Sequence, residues 1–208
     1  MRKRRTGRAD RLARRFPPIT VFSSPGERHR GLLRCGQLVF PCALGRTGVT
    51  HLKREGDGAT PAGRYRLLSL YMRPDRGVRP RTALPLRVMR KNDGWCEDAR
   101  HGRYNCPIRL PSSAGHETMW RDDRLYDLVG VLDWNFSPRV RGRGSAIFLH
   151  LCREGFLPTA GCIALRPRDL RLLLMHVGRG TEMSVAAKPR KRRAPPRNRH
   201  RLAGPRRS

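Results

Sequence analysis

The sequence predicts a mainly β fold: antiparallel sheets in a single domain with one helix, flanked by basic tails. Three observations carry this. Short apolar runs bounded by Gly and Pro recur along residues 17–187, the pattern of strands separated by turns. One stretch near the C-terminus, opening at Pro167, places apolar residues at helical spacing. No run approaches the ~18 uninterrupted apolar residues that a membrane span requires, so no integral membrane segment is expected.

Residues 1–16 read as a basic N-terminal extension, with eight basic residues and one acid, Asp10, between positions 2 and 15. It has the positive charge of an export signal. The apolar stretch that follows is short and interrupted by Pro17 and Pro18, so no signal peptide is recognisable. Strands are then expected at residues 19–22, 31–35, 38–44, 63–71, 86–90, 124–133, 146–151, 161–165 and 182–186. Residues 45–58 and 93–113 read as turn-rich connections. In the helix Pro167 suits the first turn, Leu170, Leu173, Leu174 and Val177 share one face, and Gly178 can end it. It follows the strand at 161–165 directly, so its apolar stripe should pack on the sheet.

The net charge of +30 is unevenly spread. Residues 188–208 hold ten basic residues and no acid, which leaves 28 basic and 15 acidic residues between the two tails. The C-terminal tail has no apolar periodicity and cannot offset the entropy of ordering, so it reads as disordered. Electrostatic contact with polyanions is its functional reading. A merely solvated tail is the bland one, and the dominance of Arg, 41 of 46 basic residues, suits compositional drift.

The chemistry concentrates at residues 145–165. His150 ends an apolar run, and Cys162 follows Gly161 twelve residues later. A thiol attacks as thiolate, and an adjacent imidazole can take its proton. Glycine before the nucleophile lets a substrate carbonyl approach main-chain N–H groups. Cys162 is thus a candidate nucleophile, His150 its base, and the turn Thr159, Ala160, Gly161 and Cys162 a candidate oxyanion hole. A buried, inert cysteine is the alternative.

Three segments together resemble the L,D-transpeptidase family, the YkuD-type domain. They are Ile147-Phe148-Leu149-His150 followed by Thr159-Ala160-Gly161-Cys162-Ile163, the upstream run Gly56-Asp57-Gly58-Ala59-Thr60-Pro61-Ala62-Gly63-Arg64-Tyr65, and Gly180-Thr181-Glu182-Met183-Ser184-Val185. The match spans about residues 17–187. Two positions depart from the family: Ala160 stands where many members have His, and Ala164 where many have Arg or Asn. The resemblance implies acyl transfer on peptidoglycan stem peptides through a Cys162 thioester, with no cofactor or metal. It also implies a backbone carbonyl orienting His150, for which Leu151 is the candidate. The expected setting is the periplasm or cell wall, with a cytoplasmic one left open by the missing signal.

Aromatic and acidic residues of 92–134 offer a substrate wall. Trp120, Tyr126 and Arg166 are the candidate binding residues there and beside the nucleophile; core packing and pairing of the acids with Arg are the alternative. The six cysteines show no zinc-type spacing. Cys152 is a bystander, a resolving thiol or a disulfide partner of Cys162. Three functions compete: the acyltransferase (transpeptidase or L,D-carboxypeptidase), a basic polyanion-binding protein on the same scaffold, and a thiol-redox or metal protein. Oligomeric state is not legible.

Overall fold

The computed structural model describes residues 16–187. Both basic tails lie outside the described residues, apart from Phe16, whose ring lies so close to Gly178 that a Cβ there would meet it at 2.3 Å.

The main sheet closes on itself. Strands β1 (Ile19–Ser23), β2 (Arg30–Cys35) and β3 (Leu38–Ala43) form an antiparallel meander. A short parallel pair, β4 (Val49–Thr50) and β5 (Thr60–Pro61), leads into β6 (Gly63–Met72). Strand β7 (Leu86–Val88) hangs on the far end of β6. The circuit is completed by β11 (Leu128–Leu132), β12 (Phe148–Leu151), β13 (Ile163–Leu165) and β14 (Glu182–Ala186) in the order β11-β12-β13-β3-β2-β1-β14-β6, with β6 pairing back onto β11. Ten residues let β6 serve β14 with its first half and β11 with its second. Alternation explains the interior. Ile19 and Val21 on β1, Leu33 and Cys35 on β2, Tyr65 and Leu67 on β6, and Met183 and Val185 on β14 are buried in one core.

Most pairings are antiparallel, as the sequence predicts, but β1–β14, β6–β7 and β12–β13 run parallel. The third places the site. Its register sets Leu149 beside Ile163, His150 beside Ala164 and Leu151 beside Leu165. Neighbours across a ladder share a face and faces alternate along a strand, so His150 and Cys162 point to the same side.

That side is the outside of the closed sheet, and it is covered. Strands β11 and β12 are buried throughout. Leu128, Leu132, Leu149 and Leu151 face the interior, whereas Val129, Val131 and Phe148 face a second core with Tyr71, Met89, Trp95, Met119 and Tyr126. Its lid is a three-stranded antiparallel sheet, ordered β10-β8-β9, of β8 (Asp93–Cys96), β9 (Pro107–Arg109) and β10 (His116–Thr118). This corrects the expectation of a turn-rich connection at 93–113. The strands are three or four residues long, too short for alternation to register. They are anchored by Trp95, whose ring stands edge-on to Phe148 at 5.0 Å. The strands expected from 124 and 146 begin later, at Leu128 and Phe148, because Arg124 and Ala146 adopt positive φ, 63° and 51°.

The helix, α1 (Pro167–Leu174), has Pro in its first turn and buries Leu170, Leu173 and Leu174. It stops short of Gly178, but Val177 continues its stripe into the interior core.

Candidate active site

Cys162 lies one residue before β13, and its position depends on Gly161. That residue has φ +145°, and a Cβ there would meet the Ala59 carbonyl at 2.8 Å, so only glycine fits. Thr159 ties the turn: its hydroxyl donates to the Cys162 carbonyl (2.7 Å) and accepts the Gly161 N–H (3.1 Å). The Thr159 N–H donates to Leu44 O at 2.9 Å, and its carbonyl accepts Arg46 N–H at 2.9 Å. The upstream motif braces the same place. Thr60 Oγ1 accepts the Gly45 N–H (2.8 Å) next to the Gly45–Thr159 bridge. Asp57 accepts the Ala59 N–H at 2.9 Å and pairs with buried Lys53 at 2.5 Å.

His150 is buried, with 5% of its surface exposed. Its Nδ1 lies 2.8 Å from the Leu151 carbonyl. A carbonyl only accepts, so Nδ1 carries the proton and Nε2 is left as the basic nitrogen. The Tyr126 ring stands edge-on to the imidazole at 5.1 Å. Burial pulls the His150 pKa down to about 4, with Arg121 and Arg153 acting in the same direction and the Leu151 bond opposing them. Burial pushes the Cys162 thiol up to about 12, helped by Glu117 and Glu97 and opposed by the Phe148 N–H and Lys53. At neutral pH the resting pair is therefore thiol and neutral imidazole, not the thiolate that the sequence argument invoked.

Two cavities meet at Cys162, sharing Glu117, Tyr126 and Ala160. One, about 290 Å³, is lined by His150, Thr159 and the cations Arg46, Arg121 and Arg153. The other, about 410 Å³, is lined by Gly161, Lys53, Glu55 and Glu97. Burial, with Glu117 and Glu55 nearby, raises the Glu97 pKa to about 7.

Of the residues singled out in the sequence, Thr159, Ala160, Gly161, Cys162, His150 and Tyr126 come together here. Trp120 does not line either cavity; it packs on the second core with the Arg73 guanidinium 3.7 Å above its ring. Arg166 lies at the start of α1, bonded to Asp169 at 2.7 Å, and lines neither cavity. Asp122, Asp123 and Asp127 pair with Arg76 or Arg121. All six cysteines are free, Cys152 included. No three His, Cys, Asp or Glu among the described residues converge as a metal site.

Sequence reasoning missed Lys53, Glu55, Glu97, Glu117 and Arg121. Glu117 accepts from Arg121 at 2.7 Å and from the Tyr126 hydroxyl. Nothing in their spacing separates them from other surface charges; only the fold brings them to Cys162.

A family model described as the L,D-transpeptidase catalytic domain, YkuD, matches residues 21–185. The chain belongs to this family. No curated protein matches it closely enough to count as a relative. Among solved structures it is similar to L,D-transpeptidase 1 of Mycobacterium tuberculosis, at 16% identity and TM-score 0.35 over 81% of this chain and 62% of that one. A second, an L,D-transpeptidase from M. tuberculosis H37Rv, matches at 14% identity and TM-score 0.39 over 82% and 58%. A third, L,D-transpeptidase 3 of M. tuberculosis with a faropenem-derived adduct, matches at 16% and 0.38 over 82% and 61%. The chain thus spans about three fifths of each. Membership of the YkuD family rests on the domain match.

Proposed function

We propose that this YkuD domain is a cysteine acyltransferase acting on peptidoglycan stem peptides outside the cytoplasm, in cell-wall synthesis or remodelling. The observation that carries the reading is the shared face and cavity of Cys162 and His150, with Nδ1 bonded to the Leu151 carbonyl and Nε2 free to accept a proton. The Cys162 sulfur attacks the carbonyl joining an L-centre to a D-residue while its proton passes to His150 Nε2. Because the two groups start neutral, that transfer belongs to the attack itself. The N–H groups of Ala160 and Cys162 suit the developing oxyanion, since the Gly161 N–H already serves Thr159. His150 then gives the proton to the departing D-amino acid, leaving a thioester.

An amine of a second stem resolves the thioester in transpeptidation, and water resolves it in carboxypeptidation. Either way the incoming group loses its proton to His150 as the sulfur leaves. The Arg-lined cavity suits the carboxylates of the donor stem, and the cavity with Glu55, Glu97 and Glu117 suits an incoming ammonium. Incubation with a tetrapeptide stem and an amine acceptor, followed by product mass analysis, tests this. Loss of the terminal D-residue with exchanged or cross-linked product is expected; an unaltered stem contradicts it.

A second reading, attachment to polyanions, is favoured by a cleft of about 670 Å³ lined by Arg87, Arg90, Arg103 and Arg109 against one acid, Asp93. Salt-dependent binding of an oligonucleotide that weakens both on deletion of residues 188–208 and in Arg87→Ser/Arg90→Ser would support it. Binding unaffected by either change would oppose it.

A further inference from the structure

The Cys162 thiol makes two hydrogen bonds, and neither is to His150. Its S–H donates to the Ala146 carbonyl at 3.2 Å, and its sulfur accepts the Phe148 N–H at 3.3 Å. Ala146 is an unusual place for that carbonyl, because its φ of 51° lies in the left-handed region that alanine rarely adopts.

One buried side chain holds it there. Asn105, 2% exposed, accepts the Ala146 N–H (3.2 Å) and the Trp95 indole N–H (2.9 Å) on Oδ1. Its Nδ2 donates to the carbonyls of Trp134 and Asn135, both at 3.0 Å. These four bonds fit one orientation of the amide: turned over, its NH₂ would face two N–H groups and its oxygen two carbonyls. Asn105 itself has φ 52°, a conformation asparagine tolerates well. Next door, the Tyr104 and Ser145 hydroxyls both donate to Glu55, the latter at 2.9 Å, so the segment before Ala146 is also tied.

We propose that Asn105 is a positioning residue for Cys162: by holding the Ala146 N–H, and with it the left-handed conformation of that residue, it aims the Ala146 carbonyl at the thiol, and keeps the resting sulfur protonated and out of hydrogen bonding with His150 until substrate enters. This rests on the reading of Cys162 as nucleophile. A carbonyl oxygen accepts from S–H and repels S⁻, so moving it away favours ionisation.

The titratable groups that face the thiol are Glu55, Glu97, Glu117, Tyr126 and His150. The fixed cations around it are Lys53, Arg46, Arg121 and Arg153, and changing Asn105 alters none of these groups. The test is iodoacetamide alkylation of the full chain over a pH series, with Cys162 followed by peptide mass mapping. Asn105→Gly keeps the backbone unstrained and deletes the amide. Its midpoint should fall by about half to one pH unit, so that alkylation at neutral pH is about three- to tenfold faster. Trp95→Phe removes the other N–H from the same oxygen and should leave the midpoint unmoved. A midpoint unchanged or raised in Asn105→Gly, or lowered equally in Trp95→Phe, overturns the proposal. Should Asn105→Gly fail to fold, wild type decides: the Ala146 amide must exchange with deuterium far more slowly than the exposed amides near Arg139 and Arg141, and equal exchange overturns it. Neither readout needs turnover, so a failure of the acyl-transfer reading would show separately, in the substrate assay.

Discussion

The Thr159 hydroxyl bears more of the site than its half-buried position suggests. It bonds both ends of the turn that carries Cys162, the Gly161 N–H at 3.1 Å and the Cys162 carbonyl at 2.7 Å. Thr159→Val keeps the shape and removes both bonds. Each backbone group left unpaired away from water costs about 1–3 kcal/mol; partial solvent access at Thr159 puts the expected loss of unfolding free energy at the lower end, about 2 kcal/mol in all. The kinetic effect should be larger. Cys162 carries both the sulfur and a candidate oxyanion N–H, and a displacement of about 1 Å at a reacting centre costs on the order of 100-fold in rate. Thr159→Ser keeps the hydroxyl and should recover most of both. The assay pairs urea unfolding with the rate of carbapenem adduct formation, read by intact mass. Wild-type acylation in Thr159→Val, with the stability loss present, would refute the view that this hydroxyl sets the geometry of the turn.

Other consequences follow from the same geometry. His150→Gln should slow acylation by about 10²–10⁴, the usual contribution of a positioned base; a change within a few-fold on the same mass assay would count against the role. Because the folded His150 pKa is about 4 against an ordinary 6.5, the unfolded chain binds the extra proton first as pH falls. Stability present above pH 6.5 is lost between there and about 4, by roughly 3 kcal/mol, and urea unfolding should show that part of the acid loss missing in His150→Gln. Glu97 has the opposite sign. Its folded pKa of about 7 exceeds the ordinary 4.5, so its contribution is full below 4.5 and is lost as pH rises through 7; Glu97→Gln should therefore gain stability on wild type at alkaline pH and none at pH 4, by thermal unfolding. Gly161→Ala, with its Cβ at 2.8 Å from the Ala59 carbonyl, should abolish adduct formation even if circular dichroism shows a folded chain.

The strands of the main sheet were largely legible because they alternate, but its closure was not. Ile19 and Val21, or Met183 and Val185, declare a buried face in five residues. The helix was legible from Pro167 and its leucine spacing. The parallel pairings were not, since strand direction depends on how the chain returns and not on composition. The lid sheet was hidden for another reason: its strands are short, and Trp95 finds its partners, Phe148 and Asn105, through long-range packing and hydrogen bonding. At the site, the local segment around Gly161 announced itself, and Leu151 could be named as the residue whose carbonyl meets the imidazole. Trp120 could not be placed, because an aromatic beside acids looks the same under Arg73 as in a cleft. Glu97 and Glu117 reach the sulfur only once the lid folds over it.

The most direct measurement is intact-mass analysis of the protein after exposure to a carbapenem, wild type beside Cys162→Ala. The account predicts one covalent adduct on wild type, mapped to Cys162, and none on the variant. No adduct on wild type, or an equal adduct on the variant, would contradict it.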